Sequence, residues 1–207
     1  MSRTPNPQFP TKPFGLLLVE GGDELRLCEA VAGPTTWAGL VAWKAQGRED
    51  LPSLARLATM APSFSHARSV GVLFDMEDDT SKAQSLAQQV LQILGAAPGT
   101  PTVHGALAGQ PRKLGVFIAP DGQQIGSIEK LCMQAVRSPQ LAQCVNTFVA
   151  CSGAPQPTQA LRDKGWLSAY LSMLPSPLRF YQALTEPQGI DPAHPVFDPL
   201  RAFLQSL

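Results

Sequence analysis

Three apolar runs in this 207-residue chain end in an acid: Phe14 to Val19 leads into Glu20, Ser69 to Phe74 into Asp75, and Lys113 to Ala119 into Pro120-Asp121. Further acids crowd behind the first two. Asp23 and Glu24 follow Gly21-Gly22, and Glu77, Asp78 and Asp79 follow Asp75. Glu24 lies one helical turn beyond Glu20 and faces back toward it. Carboxylates brought within a few ångströms raise each other's pKa unless something positive sits between them. Mg²⁺ is the natural neutraliser, because it takes hard oxygen ligands and keeps water and substrate phosphate in its remaining positions. Two such ions, roughly 3.5–4 Å apart, stabilise the attacking and leaving oxygens of a phosphodiester. An acid after a strand is also an ordinary helix cap, so no single position carries the argument. Its recurrence at three strand ends does.

The elements around these acids decide whether they can meet. Phe14 to Glu20 has the form of a buried parallel strand, followed by a tight glycine turn and a helix from Asp23 to Val31. Gly39 to Lys44 suits a second strand and Leu51 to Met60 a helix stopped by Pro62. Ser69 to Asp75 is another buried strand, and Lys82 to Leu94 is a helix with apolar residues at helical spacing. A Gly/Pro-rich connection, Gly95 to Gly109, leads to the strand Lys113 to Ala119 and a helix from about Ser127 to Val136, with Glu129 in its first turn. From Gln140 onward the pattern is helical and broken by prolines, with a helix over Leu161 to Met173 and a short docking helix over Phe197 to Leu207. Strands alternating with helices predict an α/β fold with a mainly parallel sheet. In such a sheet functional groups collect at the carboxyl ends of the strands. Met1 to Pro13 reads as a loose arm, 14–137 as the α/β core and 138–207 as a helical extension packed on it.

Composition narrows the function classes. Sixteen basic and sixteen acidic residues cancel, so no global field draws nucleic acid or an anionic membrane. Hydrophobic content of 44% supports an ordinary core. The four cysteines form no C-x-x-C pair and the three histidines are scattered, which argues against zinc. The run Phe14 to Val19 is far too short to span a bilayer. With no secretory signal, the expectation is a cytoplasmic protein with free cysteines and no membrane partner. Cys144 and Cys151 read as small buried hydrophobes. No G-x-G-x-x-G follows the first strand, and no P-loop motif occurs. Val72 to Thr80 is superficially similar to a haloacid-dehalogenase phosphatase signature. It lacks the glycine, displaces the threonine and leaves the Val19 to Glu24 block without a role.

Leu18-Val-Glu-Gly-Gly-Asp-Glu24 looks like the first toprim motif, and Val72-Leu-Phe-Asp-Met-Glu77 is similar to the second. Pro120-Asp121 followed by Gly126-Ser-Ile-Glu129, and Lys164-Gly-Trp166 with its short helix, also have counterparts. From about Phe14 to the C-terminus the chain resembles small stand-alone toprim-like proteins related to the toprim part of OLD-family nucleases. The resemblance implies a toprim-like (Rossmann-like) sheet and a Mg²⁺-dependent nuclease or phosphoryl-transfer enzyme acting on nucleic acid. It implies that Glu20 is a metal ligand or general base, that Glu24, Asp75, Glu77 and Glu129 complete the metal sites, and that Lys164 offsets charge on the phosphate. Asp23, Asp78 and Asp121 stand in reserve. OLD-type nucleases pair this part with an ATPase domain, and the lack of a P-loop here leaves open an ATPase partner on a separate chain. Where the family has Asp-x-Asp, this chain has Asp75-Met-Glu77. The longer glutamate leaves three readings open: compensation by Asp78, a preference for Mn²⁺, or a catalytically inactive binding or regulatory module. Trp166 reads as a core anchor.

Overall fold

The structure, a computed structural model, describes residues 10–97, 103–109, 112–151 and 158–207. Residues 1–9 of the expected arm and 98–102 of the long connection lie outside the described residues.

The buried runs become strands β1 (Phe14–Val19), β2 (Leu40–Lys44), β3 (Ala67–Asp75), β4 (Leu107–Ala108) and β5 (Lys113–Ala119), in the spatial order β2-β1-β3-β5-β4. The first three and β5 run parallel; β4 is antiparallel on the edge. Helices α1 (Gly22–Trp37), α2 (Leu51–Met60), α3 (Thr80–Ile93), α4 (Ile128–Gln134), α5 (Pro139–Cys151), α6 (Gln159–Ser172), α7 (Phe180–Ala183) and α8 (Asp198–Ser206) complete the α/β fold. Every residue of β1 is buried because both faces of the sheet are covered.

Strand alternation sorts the core into two halves. Leu16, Leu18, Val72, Phe74 and Ile118 point to the face covered by α2 and α3. Leu17, Val19, Leu73 and Phe117 point to the other, covered by α1, α4, α6 and α8. On this second face Gly71 and Gly115 are register partners on neighbouring strands. A Cβ on Gly71 would stand 2.9 Å from the Phe203 ring, so the glycine is what lets α8 lie close to the sheet. Phe203 fills the space and meets Phe117 with ring centroids 5.8 Å apart.

Two elements differ from the sequence reading. The first helix continues past Val31 to Trp37, through a break at Gly33 (φ 70°) just ahead of Pro34. β4 forms inside the expected connection, where two residues are too few to show a period; its pairing with Leu114 and Gly115 defines it. Among the described residues no helix is long and apolar enough to cross a membrane.

Phe203 is fully buried, so Phe203→Ala should cost about 3–5 kcal/mol through lost burial and an unfilled cavity over Gly71. Urea unfolding checks this; an unchanged midpoint would show that α8 is not part of the cooperative core.

Candidate metal centre

The chain leaves β1 for β2 on one side and then crosses to β3 on the other, so the order of the sheet reverses between β1 and β3. A crevice opens at the carboxyl ends of such a pair. Glu20 and Asp75 occupy those two ends. Pairing does not stop abruptly there: Glu20 N–H still donates to the Leu73 carbonyl (3.1 Å), and Met76 N–H to that of Ala119 (2.8 Å). On the β1 side of β3, the Glu20 carboxylate accepts the Asp75 N–H at 3.2 Å, so the side chain continues the ladder that the backbone has left.

Glu24 and Glu129 reach the same crevice from α1 and α4. The first turn of α1 turns Glu24 back onto Gly21, whose missing Cβ would otherwise stand 2.9 Å from its carboxylate. The α4 N-terminus is tied to β3, because Ile128 N–H donates to Asp75 Oδ1 at 2.9 Å. That bond delivers Glu129, the next residue, to the cluster. Asp75, Glu129 and Glu24 are only 1%, 6% and 7% exposed. Asp75 Oδ2 and Glu129 Oε2 are buried and, among the described residues, accept no hydrogen bond. Orphaned carboxylate oxygens are costly in a fold and are what a bound cation or proton would satisfy.

Electrostatics follows from this crowding. Burial, followed by the charges of Glu129, Glu24 and Glu20, holds the Asp75 carboxyl well above its usual range. Burial, with Glu20, Glu129 and Asp23 nearby, pushes Glu24 up to about 7. Burial also raises Glu20 and Glu129, against opposing contributions that include Lys164 for both. Lys164, exposed on α6, would be lowered by its partial burial. Glu129, Asp75, Glu20 and Glu24 outweigh that and raise it, so it is firmly an ammonium. These five side chains and Asp23, which is exposed at the mouth, are the predicted residues that the fold brings together. All except the deeply buried Asp75 line a cleft of ≈ 710 Å³.

The remaining predicted acids are otherwise engaged. Glu77 has a left-handed backbone (φ 55°) and exchanges two 2.8 Å backbone hydrogen bonds with Gly126. Its carboxylate is 3.0 Å from the Arg48 guanidinium, and Arg48 also donates to the Met76 carbonyl at 3.4 Å. Asp78 accepts the Gln159 N–H at 2.8 Å, at the start of α6. Asp79 caps α3, and its bonds from Ser81 and Lys82 hold it at about 2. Asp121 turns away from the cluster. It accepts the N–H groups of Gln123 and Gln124 and lines a separate hollow with His104 and Lys130. The Pro120-Asp121-Gly122 turn spends its carboxylate on the backbone, and Glu129 takes the place expected for a third strand end. Cys144 and Cys151, expected to be buried, are exposed free thiols, because α5 packs only a narrow stripe around Val145.

Sequence reading missed Arg48, Lys44 and Asp163. Asp163 is 2% exposed and accepts Gln159 Nε2 at 2.8 Å. It shares the buried face of α6 with Trp166, Leu167 and Tyr170, and an acid on an apolar stripe was the available signal. Trp166 is a core residue, as expected, and donates to Asn146 at 2.7 Å.

Among the described residues no three His, Cys, Asp or Glu side chains are already set around a common metal position. A cation would offset the charge of these crowded carboxyls. Without one, the fold holds protons on these acids more tightly than the unfolded chain does. Their stabilising share is therefore complete below the ordinary carboxylate range near 4.5 and, for Glu24, lost as pH rises through about 7. Metal-free wild type should lose stability between about pH 5 and about pH 8, and Glu24→Gln should remove up to about 3 kcal/mol of that loss. Thermal unfolding across that range in chelator reads it; a wild type that gains stability with pH would contradict the raised carboxyls.

No curated protein and no solved structure matches the chain. A family profile described as a protein of unknown function (DUF3226) matches residues 15–207, and the chain belongs to that family.

Proposed function

We propose that this protein is a Mg²⁺-dependent (or Mn²⁺-dependent) nuclease or phosphoryl-transfer enzyme of the toprim type, acting on nucleic acid. The observation that carries the reading is the convergence of Glu20, Glu24, Asp75 and Glu129 on one crevice, with Asp75 Oδ2 and Glu129 Oε2 buried and, among the described residues, unpartnered. All four are hard oxygen donors, the chemistry that Mg²⁺ takes, and together they would hold it. A cation bound there would polarise a phosphoryl oxygen and acidify a bound water. The protein's own groups divide the remaining work. Burial raises the Glu20 carboxyl, which makes it a stronger base than an ordinary carboxylate and suits it to accept a proton. Lys164 remains positive beside the cluster and would offset charge developing on the phosphate. Exposed free thiols at Cys144 and Cys151 suit a reducing, cytoplasmic setting. An ATPase on a separate chain remains part of the proposal as a partner.

A second reading is favoured by the Arg48–Glu77 ion pair. Arg48 supplies the positive charge that a second metal would bring, so Glu77 is already satisfied. That arrangement suits a binding or regulatory module that keeps an acidic rim without catalysis.

Calorimetric titration with Mg²⁺ and Mn²⁺ separates the two. Wild type should take up metal and release protons, because raised carboxyls must ionise to ligate. Asp75→Asn and Glu20→Gln should abolish the uptake, and cleavage of oligonucleotides should disappear with it. Arg48→Met should tighten binding by up to about fivefold, because metal would no longer have to draw Glu77 out of an ion pair worth up to about 1 kcal/mol. No uptake by wild type, with or without oligonucleotide, would sink the catalytic reading in favour of the module.

A further inference from the structure

The lining of the cleft has a second part, made of cations and apolar side chains. Beyond Glu20, Asp23, Glu24 and Glu129, its lining passes to Lys44 at the end of β2 and to the segment from Lys164 to Phe180. Among the described residues Lys44, Lys164 and Arg179 make no ion pair, and all three are exposed. They stand on different elements around the acids. Lys44 is paired in register with Val19, the residue before Glu20, so it flanks the cluster on the β2 side. Lys164 interacts first with Glu129 and Asp75, on the opposite side. Arg179 precedes α7, and beside it Leu171, Leu178 and Phe180 give the wall an apolar strip. A ligand that fits this half needs negative charge for Lys44 and Arg179 and an apolar flat body for the strip.

We infer that this half of the cleft is a nucleotide subsite, in which Lys44 and Arg179 hold a phosphate adjacent to the reacting one and the strip beside Phe180 receives the base. The inference rests on the proposed phosphoryl-transfer reading and specifies its substrate. A volume of ≈ 710 Å³ is in the range of clefts that enclose one small ligand, so it is sized for one nucleotide unit. Bases stacked on aromatic rings with phosphates on nearby cations is the general chemistry of single-strand binding.

The test is fluorescence anisotropy of labelled single-stranded oligo(dA) on the full chain, at fixed Ca²⁺ and over a series of salt concentrations. Lys44→Ala and Arg179→Ala alter exposed side chains and should fold normally. Each should weaken binding about tenfold and reduce the slope of log affinity against log salt by about 0.7, the share of one single-strand phosphate. A duplex of the same sequence should bind much more weakly. Displacement by dAMP assigns the subsite to a free nucleotide, and displacement only by unlabelled oligo(dA) assigns it to a unit of a strand; either supports the inference. Unchanged affinity and slope in both variants, or equal binding of duplex, overturns it. Metal uptake measured by calorimetry on the same variants distinguishes the two failures. If uptake persists the acidic centre stands and only the subsite falls, whereas lost uptake in wild type removes the parent reading.

Discussion

The carboxyl end of the sheet is arranged around one buried carboxyl group. Asp75 ends the central strand, pairs through its backbone with Glu20 and β5, and uses one carboxylate oxygen to hold the first N–H of α4. Its other oxygen has no partner among the described residues. A single ionised carboxylate in such a place would be prohibitive without a counter-charge, yet the fold adds Glu20, Glu24 and Glu129 around it. The sheet tolerates this because protons can occupy the cluster in place of a cation, and because Lys164 sits at its edge. The same constraint accounts for the small residues nearby. Gly21 gives way to the Glu24 side chain, and Gly126 bridges to the backbone of Glu77.

Much of the architecture was legible in the sequence. Buried strands of six to nine residues announce themselves by unbroken apolar runs, and β1, β3 and β5 fall where those runs lie. Helix α2 was legible with its stop at Pro62, and α6 was legible from Leu161 onward, two residues after its start at Gln159. β4 was not legible, because two residues have no period and exist as a strand only through a partner. The α1 extension past Gly33 was equally hidden, since Gly33 and Pro34 both read as terminators and tertiary packing overrides them.

The candidate site was legible in a different way. Chain proximity correctly suggested Glu20 with Glu24, and topology suggested Glu20 with Asp75. Topology could not say which acids the backbone would consume. Asp78, Asp79 and Asp121 follow strands as Glu20 does, but each meets free N–H groups at a helix start or turn and is used there. Arg48 and Asp163 escaped notice for the opposite reason. Arg48 lies in a short turn with no apparent chemistry and gains significance from Glu77 across the fold, while Asp163 stood beside Lys164 with only its place on an apolar stripe to mark it.

The Arg48–Glu77 pair has a consequence for inheritance. Residue 77 needs a left-handed backbone, which aspartate adopts more readily than glutamate, so the local geometry alone would favour the shorter acid. The extra length of the glutamate is what reaches Arg48, at 3.0 Å. The two positions should therefore vary together: aspartate at 77 would release residue 48 from being arginine, and loss of the arginine would remove the gain from the glutamate. Covariation between two sites 29 positions apart in the chain would then record, across the family, whether this corner of the crevice is held by a side chain or left for an ion.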